Sequence, residues 1–114
     1  MNYQNTSHNI ITKNKLGNPD TFCILPFIHL STTVDGQIRL CCRSKAISNI
    51  QEESLLEVWN GSKLKNIRED LKNGVRVKEC QNCWKMEDNQ IVSLRQSQNI
   101  GKIKHYNANQ NKKN

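Results

Sequence analysis

Five cysteines occupy the middle of this chain and constrain its fold more than any other feature: Cys23, Cys41, Cys42, Cys80 and Cys83. Only 35% of the 114 residues are hydrophobic and 5% are aromatic, so a core made from side chains alone is thin. A chain of this length is expected to form one domain. A thin core in so small a domain favours an added staple, such as a bound metal.

The cysteines are expected to be thiols or metal ligands, because five is an odd number for a disulfide framework. The first residues, MNYQNTSHNIITKNK, lack the charged start and apolar stretch of a secretory signal. No run of about 18 apolar residues predicts a membrane helix. We therefore expect a cytoplasmic protein that does not bind membranes, in a compartment where disulfides are uncommon.

The net charge of +7 is concentrated at the C-terminal end. Residues 100–114 carry four lysines and no acidic residue, whereas residues 22–99 carry eleven basic and nine acidic side chains. A short lysine-rich end is typical of a solvated tail that binds polyanions non-specifically. Nucleic acid is therefore not an expected dedicated partner.

Three segments are predicted along the chain. Residues 1–21 and 100–114 are polar and lack sustained periodicity, so we expect a disordered N-terminal segment and a basic disordered tail. Residues 22–99 hold every cysteine, tryptophan and phenylalanine and form the expected domain. The predicted fold class is α+β: an N-terminal β-hairpin, then short helices around a four-cysteine metal site.

The hairpin is predicted over about residues 28–42. Asp35-Gly36 is its turn signal, because glycine adopts positive φ at low cost. In the second strand Ile38 and Leu40 are expected to face one side, and Arg39 and Cys41 the other.

Helices are predicted after the hairpin. Ser54 and Glu57 fit a capping box at the start of a short helix. Ser62 can cap a second helix, whose apolar residues recur at helical spacing and which ends near Gly74. A third helical or turn segment is expected over residues 80–94.

Cys80 and Cys83 form a C-x2-C pair, which lets two thiolates converge on one metal centre from a single turn. Thioredoxin-like redox sites share this spacing, but there the pair follows a strand within a βαβ pattern. Here the pair follows a helix and a short extended stretch, which favours metal binding. Two unligated thiols are the remaining alternative.

Cys23 and Cys41 flank the predicted hairpin, whose ends approach each other. With the C-x2-C pair they supply four thiolates, enough for a tetrahedral zinc ion or a cubane iron–sulfur cluster. Cys41 and Cys42 are adjacent in a strand and point to opposite faces, so only one of them reaches the site. We assign Cys41, with Cys42 as the alternative.

Zinc and iron–sulfur are separated only in part by the spacing. Structural zinc in ribbon folds lies between two C-x2-C knuckles, and this sequence has one. The wide spacing of the first two cysteines suits a cluster-binding loop better, although thiolates accommodate both metals. The alternative function is therefore a small zinc-stapled interaction or nucleic-acid-binding module.

The order and spacing of these residues resemble the start of the SPASM motif of radical S-adenosylmethionine enzymes, C-x9–15-G-x4-C and then C-x2-C. The matching positions are Cys23, Gly36, Cys41, Cys80 and Cys83. The full motif has a further cysteine five residues on, at the position of Asn89. The chain therefore looks like the shortened Twitch form, and the resemblance covers about residues 22–99.

This resemblance implies one auxiliary four-iron four-sulfur (4Fe–4S) cluster, with Cys23, Cys41, Cys80 and Cys83 as its ligands. It also implies a role in electron transfer or in engaging a substrate or peptide. These 114 residues lack the C-x3-C-x2-C triplet that holds the catalytic cluster of radical S-adenosylmethionine enzymes. We therefore do not expect this chain to be a catalyst alone, and we assign it no catalytic residue. The expected partner is a separate radical S-adenosylmethionine protein or a peptide substrate.

Residues outside the motif are interpreted more conservatively. His29 is expected to be a partly buried side chain with satisfied hydrogen bonds, with donation of a hydrogen bond to a cluster sulfur as the alternative. Trp84 is expected to shield the cluster from solvent or to belong to the core. Arg95 is expected at the surface, with pairing to Glu87 or donation toward the cluster as alternatives.

The choice between Cys41 and Cys42 gives a first testable prediction. Cys41→Ala should abolish metal binding, whereas Cys42→Ala should retain most of it, because only Cys41 faces the site. Bound metal per chain, measured after purification of each variant, checks this. The reverse result would show that the strand register is shifted by one residue.

Overall fold

A three-stranded antiparallel sheet and six α-helices make up residues 3–112, the part of the chain that the computed structural model describes, with side chains described for residues 4–104. Their bounds, in chain order, are α1 Tyr3–Lys13, α2 Leu25–Ile28, β1 Ser31–Thr32, β2 Gln37–Arg39, β3 Ala46–Asn49, α3 Leu55–Asn60, α4 Ser62–Lys72, a 3-10 turn Lys78–Cys80, α5 Gln81–Asp88 and α6 Leu94–Lys112. This arrangement confirms the predicted α+β class. None of these helices, within the described residues, has the length and apolar character needed to cross a bilayer.

The predicted hairpin is present but shorter than expected. β1 pairs with β2, and Gly36 adopts φ +85° in the turn between them. Ile38 and Leu40 are both fully buried, which confirms the predicted alternation. Residues 25–28 form one helical turn before the hairpin, and Pro26 is tolerated there because it lies in the first positions, where a missing N–H breaks no helical hydrogen bond.

The third strand, β3, was not predicted. It pairs antiparallel with β2, and a register shift interrupts the pairing between Ile38 and Arg39. Only Ile47 of its four residues is both apolar and buried, so the segment carries too little alternation to indicate a strand. β3 turns the predicted hairpin into a three-stranded meander.

The two predicted helices α3 and α4 begin almost where expected. Ser54 and Glu57 form the predicted capping box: the Glu57 N–H donates to Ser54 Oγ over 3.1 Å, and the Ser54 N–H donates to Glu57 Oε1 over 3.0 Å. Gly61, one residue before the predicted Ser62, is the N-cap of α4. The buried face of α4 is formed by the apolar residues at helical spacing: Leu64, Ile67 and Leu71.

The predicted third helical segment, residues 80–94, is two helices with a break between them. Gln90 adopts φ +62° in the break. At the start of α6 the Ser93 N–H donates to Gln96 Oε1 over 3.1 Å, and the Gln96 N–H donates to Ser93 Oγ over 3.2 Å. This is a second capping box, and its S-x-x-Q pattern was readable in the sequence.

Helices occupy much of the two terminal segments that were expected to be disordered. α1 packs against α6, and Ile11 and Ile103 are fully buried there. The Thr21 hydroxyl donates to the Leu71 carbonyl over 2.7 Å, which ties the N-terminal segment to α4. Each segment looks polar alone, because a single isoleucine buried against a partner leaves no periodic signal. Residues 1–2 and 113–114 of these segments lie outside the described residues.

The two serines near the starts of α3 and α4 give a prediction on stability. Ser54→Ala should lower the free energy of unfolding by about 1 kcal/mol, because it removes a side-chain cap. Ser62→Ala is the matched control and should change it by less than about 0.5 kcal/mol, because Gly61 holds the cap position. Urea unfolding followed by circular dichroism measures both. Equal losses would mean that the Ser54 cap does not stabilise α3.

Candidate metal centre

The four cysteines that were predicted to act together line one cavity: Cys23, Cys41, Cys80 and Cys83. The rest of the wall consists of Leu25, Pro26, Leu40, Trp84, Leu94 and Arg95. The wall therefore combines sulfur atoms, apolar side chains and one cation. Cys42 does not line it and is exposed.

Cys41 and Cys42 lie in the loop after β2, which ends at Arg39, and not in a strand as the sequence predicted. Ser44 holds the loop that carries them: its Oγ accepts hydrogen bonds from the Leu40 N–H at 2.9 Å and the Cys41 N–H at 3.4 Å. The loop turns so that Cys41 is half-buried at the cavity. Cys41 thus lies at the cavity, whereas Cys42 is at the surface, where a buried side chain was expected; Cys41 as the ligand stays a prediction.

The C-x2-C pair spans the junction of the 3-10 turn and α5. Cys80 is the last residue of the turn, and Cys83 is buried on the first turn of α5. Trp84, also buried, donates from Nε1 to the Val77 carbonyl over 2.8 Å. This hydrogen bond holds the start of α5 against the segment that leads into the pair. Trp84 forms part of the cavity wall and of the core at once.

The C-x2-C pair is also tied to the loop that carries Cys41. The Lys45 N–H donates to the Glu79 carbonyl over 3.0 Å. Because Glu79 directly precedes Cys80, this hydrogen bond brings the two cysteine segments together on one side of the cavity.

Cys23 is held from both sides by α6. Asn99 is fully buried; its Oδ1 accepts from the Ile24 N–H at 2.8 Å, and its Nδ2 donates to the Phe22 carbonyl at 2.8 Å. One amide side chain thereby fixes the backbone before and after Cys23. Sequence reasoning missed Asn99, and no local pattern marks an asparagine whose partners lie more than 70 positions away.

Arg95 is buried, in contrast to its expected surface position. It pairs with Glu87 as the alternative interpretation allowed: Nη2 lies 2.7 Å from Oε1, and Nε donates to Oε2 over 2.8 Å. Its Nη1 donates to the carbonyls of Pro19 and Phe22. These backbone carbonyls replace the hydrogen bonds that the guanidinium would make to water. Because they are backbone groups, the sequence does not show that Arg95 has partners in the interior.

His29 is partly buried, as expected, and does not line the cavity. Burial lowers its pKa, and the charge of Lys102 lowers it further. At neutral pH its imidazole is therefore predominantly uncharged.

The cysteine thiols are strongly affected by burial. Burial raises the pKa of Cys23 to about 12, and repulsion from the Cys83 and Cys41 thiolates adds to the rise. Burial also raises the pKa of Cys80 and of Cys41. At neutral pH these thiols hold their protons, so a metal that binds them must displace protons and supply the positive charge that stabilises the thiolates.

The chemistry of this donor set fits a thiolate-bound metal centre. Soft sulfur ligands select iron–sulfur clusters or zinc, and the described wall contains no carboxylate that would favour a harder cation. Among the side chains of residues 4–104, however, no three His, Cys, Asp or Glu are arranged as ligands of a metal ion. The cavity brings the four predicted thiols together, and their ligation stays a prediction.

Comparison with known proteins identifies the family. Neither the curated proteins nor the solved structures gave a match. The family model SPASM, described as an iron–sulfur cluster-binding domain, matches residues 23–84, more than half of the chain. The match begins at the first predicted ligand, Cys23, and ends one residue after the last, Cys83. The chain therefore belongs to the SPASM family of iron–sulfur cluster-binding domains.

Proposed function

We propose that this chain holds one 4Fe–4S cluster through Cys23, Cys41, Cys80 and Cys83 and acts as an accessory electron-transfer domain for a separate radical S-adenosylmethionine protein. The shared cavity carries the proposal, because it gathers these four thiols and leaves Cys42 outside. Four cysteines are the usual ligand set of such a cluster. When bound, the cluster supplies one-electron chemistry.

A complete set of four thiolates favours electron transfer over direct binding of substrate to iron. Each thiolate would occupy one iron, so no coordination site stays open. The apolar wall of Leu25, Leu40 and Trp84 limits contact with water. Ligands, solvent exposure and nearby charges are the means by which a protein sets the potential of such a centre.

The exposure of the cysteines indicates where an electron would enter or leave. Cys23 and Cys83 are buried, whereas Cys41 and Cys80 are half-buried. The side of the cavity with Cys41 and Cys80 is therefore nearest to solvent. Exposed basic side chains lie in these two segments, at Arg43, Lys45 and Lys78. Such a surface favours a partner that presents acidic side chains.

Metal content tests the cofactor assignment. Protein purified without oxygen should contain about four iron and four sulfide per chain and absorb broadly near about 400 nm, with bleaching on reduction by dithionite. Cys42→Ala is the control for the four single alanine variants of the proposed ligands, which should lose the cluster. A colourless protein that retains one zinc ion after dialysis would contradict the proposal and favour the zinc-stapled module.

The accessory role is tested with a radical S-adenosylmethionine protein encoded beside this chain. Cluster-loaded protein should co-migrate with that protein in size-exclusion chromatography at low salt and increase its product yield. The complex should weaken as salt rises, because charge attraction is screened. Cys83→Ala, which lacks the cluster, is the control and should not raise the yield. An unchanged yield with loaded protein would exclude the accessory role for that partner.

A further inference from the structure

Two arginines approach the ring of Trp84, the residue that follows Cys83. The guanidinium carbon of Arg76 lies 5.3 Å from the ring centroid and that of Arg95 lies 5.8 Å from it. Each arginine makes a two-point ion pair with a carboxylate near the end of α5, Arg76 with Asp88 and Arg95 with Glu87. The same chemistry thus occurs twice around one tryptophan.

The two pairs differ in burial and in what they face. The side chains of Arg95 and Glu87 are 4% and 10% exposed, whereas those of Arg76 and Asp88 are 45% and 61% exposed. Arg95 lines the cavity of the four cysteines, and neither Arg76 nor Glu87 is part of that wall. Of the two pairs, only the buried one therefore reaches the cavity of the four cysteines, through Arg95.

Arg95 is fixed in this position. Its Nη1 donates to the carbonyls of Pro19 at 3.0 Å and Phe22 at 2.9 Å, while Nε and Nη2 hold Glu87. Hydrogen bonds from three of its nitrogens prevent the guanidinium from rotating away. A charge held in a buried, weakly polarisable site acts more strongly on its neighbours than the same charge in water.

We propose that Arg95 raises the reduction potential of the cluster by placing a fixed positive charge beside it. The inference rests on the proposed function, since it requires the cluster to be bound by the four cysteines. One-electron reduction adds one negative charge to the centre, makes or breaks no bond and moves no proton. A nearby cation stabilises the reduced form more than the oxidised form. Glu87 offsets this in part, because its carboxylate is farther from the cavity.

The test is a redox titration of loaded variants, with dithionite as the electron donor and mediator dyes, followed by absorbance. Arg95→Gln combined with Glu87→Gln removes both charges and leaves no buried charge without a partner. At the midpoint potential of the wild type, the ratio of reduced to oxidised cluster should be several-fold lower in this double variant than in the wild type. Glu87→Gln alone should raise that ratio about tenfold, equivalent to about 59 mV for a one-electron couple.

The matched control is Arg76→Gln combined with Asp88→Asn, which removes the exposed pair beside the same tryptophan. Its ratio should change by less than about twofold, because water screens this pair. Arg95→Lys keeps the charge and should titrate close to the wild type. Iron and sulfide are measured first for every protein.

The outcomes separate this inference from the proposed function. A wild type without iron and sulfide overturns the proposed function. A loaded wild type whose potential equals that of the loaded variant with both Arg95→Gln and Glu87→Gln overturns the role of Arg95 alone. If the double variant does not fold, Arg95→Met combined with Glu87→Leu is the second variant, because apolar side chains of similar volume often replace a buried ion pair without loss of stability. Equal shifts in the buried and exposed double variants would also overturn the role of Arg95.

Discussion

The buried guanidinium of Arg95 connects the parts of the molecule that make the metal centre. It joins Glu87 on α5 to the carbonyls of Pro19 and Phe22 in the segment before Cys23. The segment before Cys23 and the region where α5 meets α6, more than 70 positions apart in sequence, thereby meet at one side chain. Because both partners of the ion pair are buried, removal of either one leaves a charge without compensation, which is strongly destabilising. The position of Cys23 relative to Cys83 depends on this contact.

Features that depend on neighbouring residues were predictable from the sequence. The capping box of Ser54 and Glu57 needs only four consecutive residues, and the turn at Gly36 needs one glycine with positive φ. The alternation of Ile38 and Leu40 follows from the period of a strand. The alternation does not extend to Cys41 and Cys42, which lie in the loop after β2. The spacing of the cysteines also indicated that four of them share one site; the four line a common cavity, and their joint ligation of a metal stays a prediction.

Features that depend on distant partners were not predictable. Periodicity indicates which face of a segment is buried, but it does not identify what covers that face. α1 and α6 are polar helices, and each looks like a tail until Ile11 and Ile103 are buried between them. Arg95 was expected at the surface because arginine is seldom buried without partners, and its partners are backbone carbonyls that a sequence does not reveal. The polar and charged character of these segments therefore led to too few residues being assigned to the interior.

The two hydrogen bonds of Asn99 to the residues on either side of Cys23 also affect the order in which the chain folds during synthesis. The chain leaves the ribosome from its N-terminus, and the hydrogen bond from the Ile24 N–H to Asn99 joins residues 75 positions apart. α3 and α4 fold through local contacts, whereas closure of so long a loop is slow and must await the emergence of α6. All five thiols are thus translated before the last part that buries Cys23 exists.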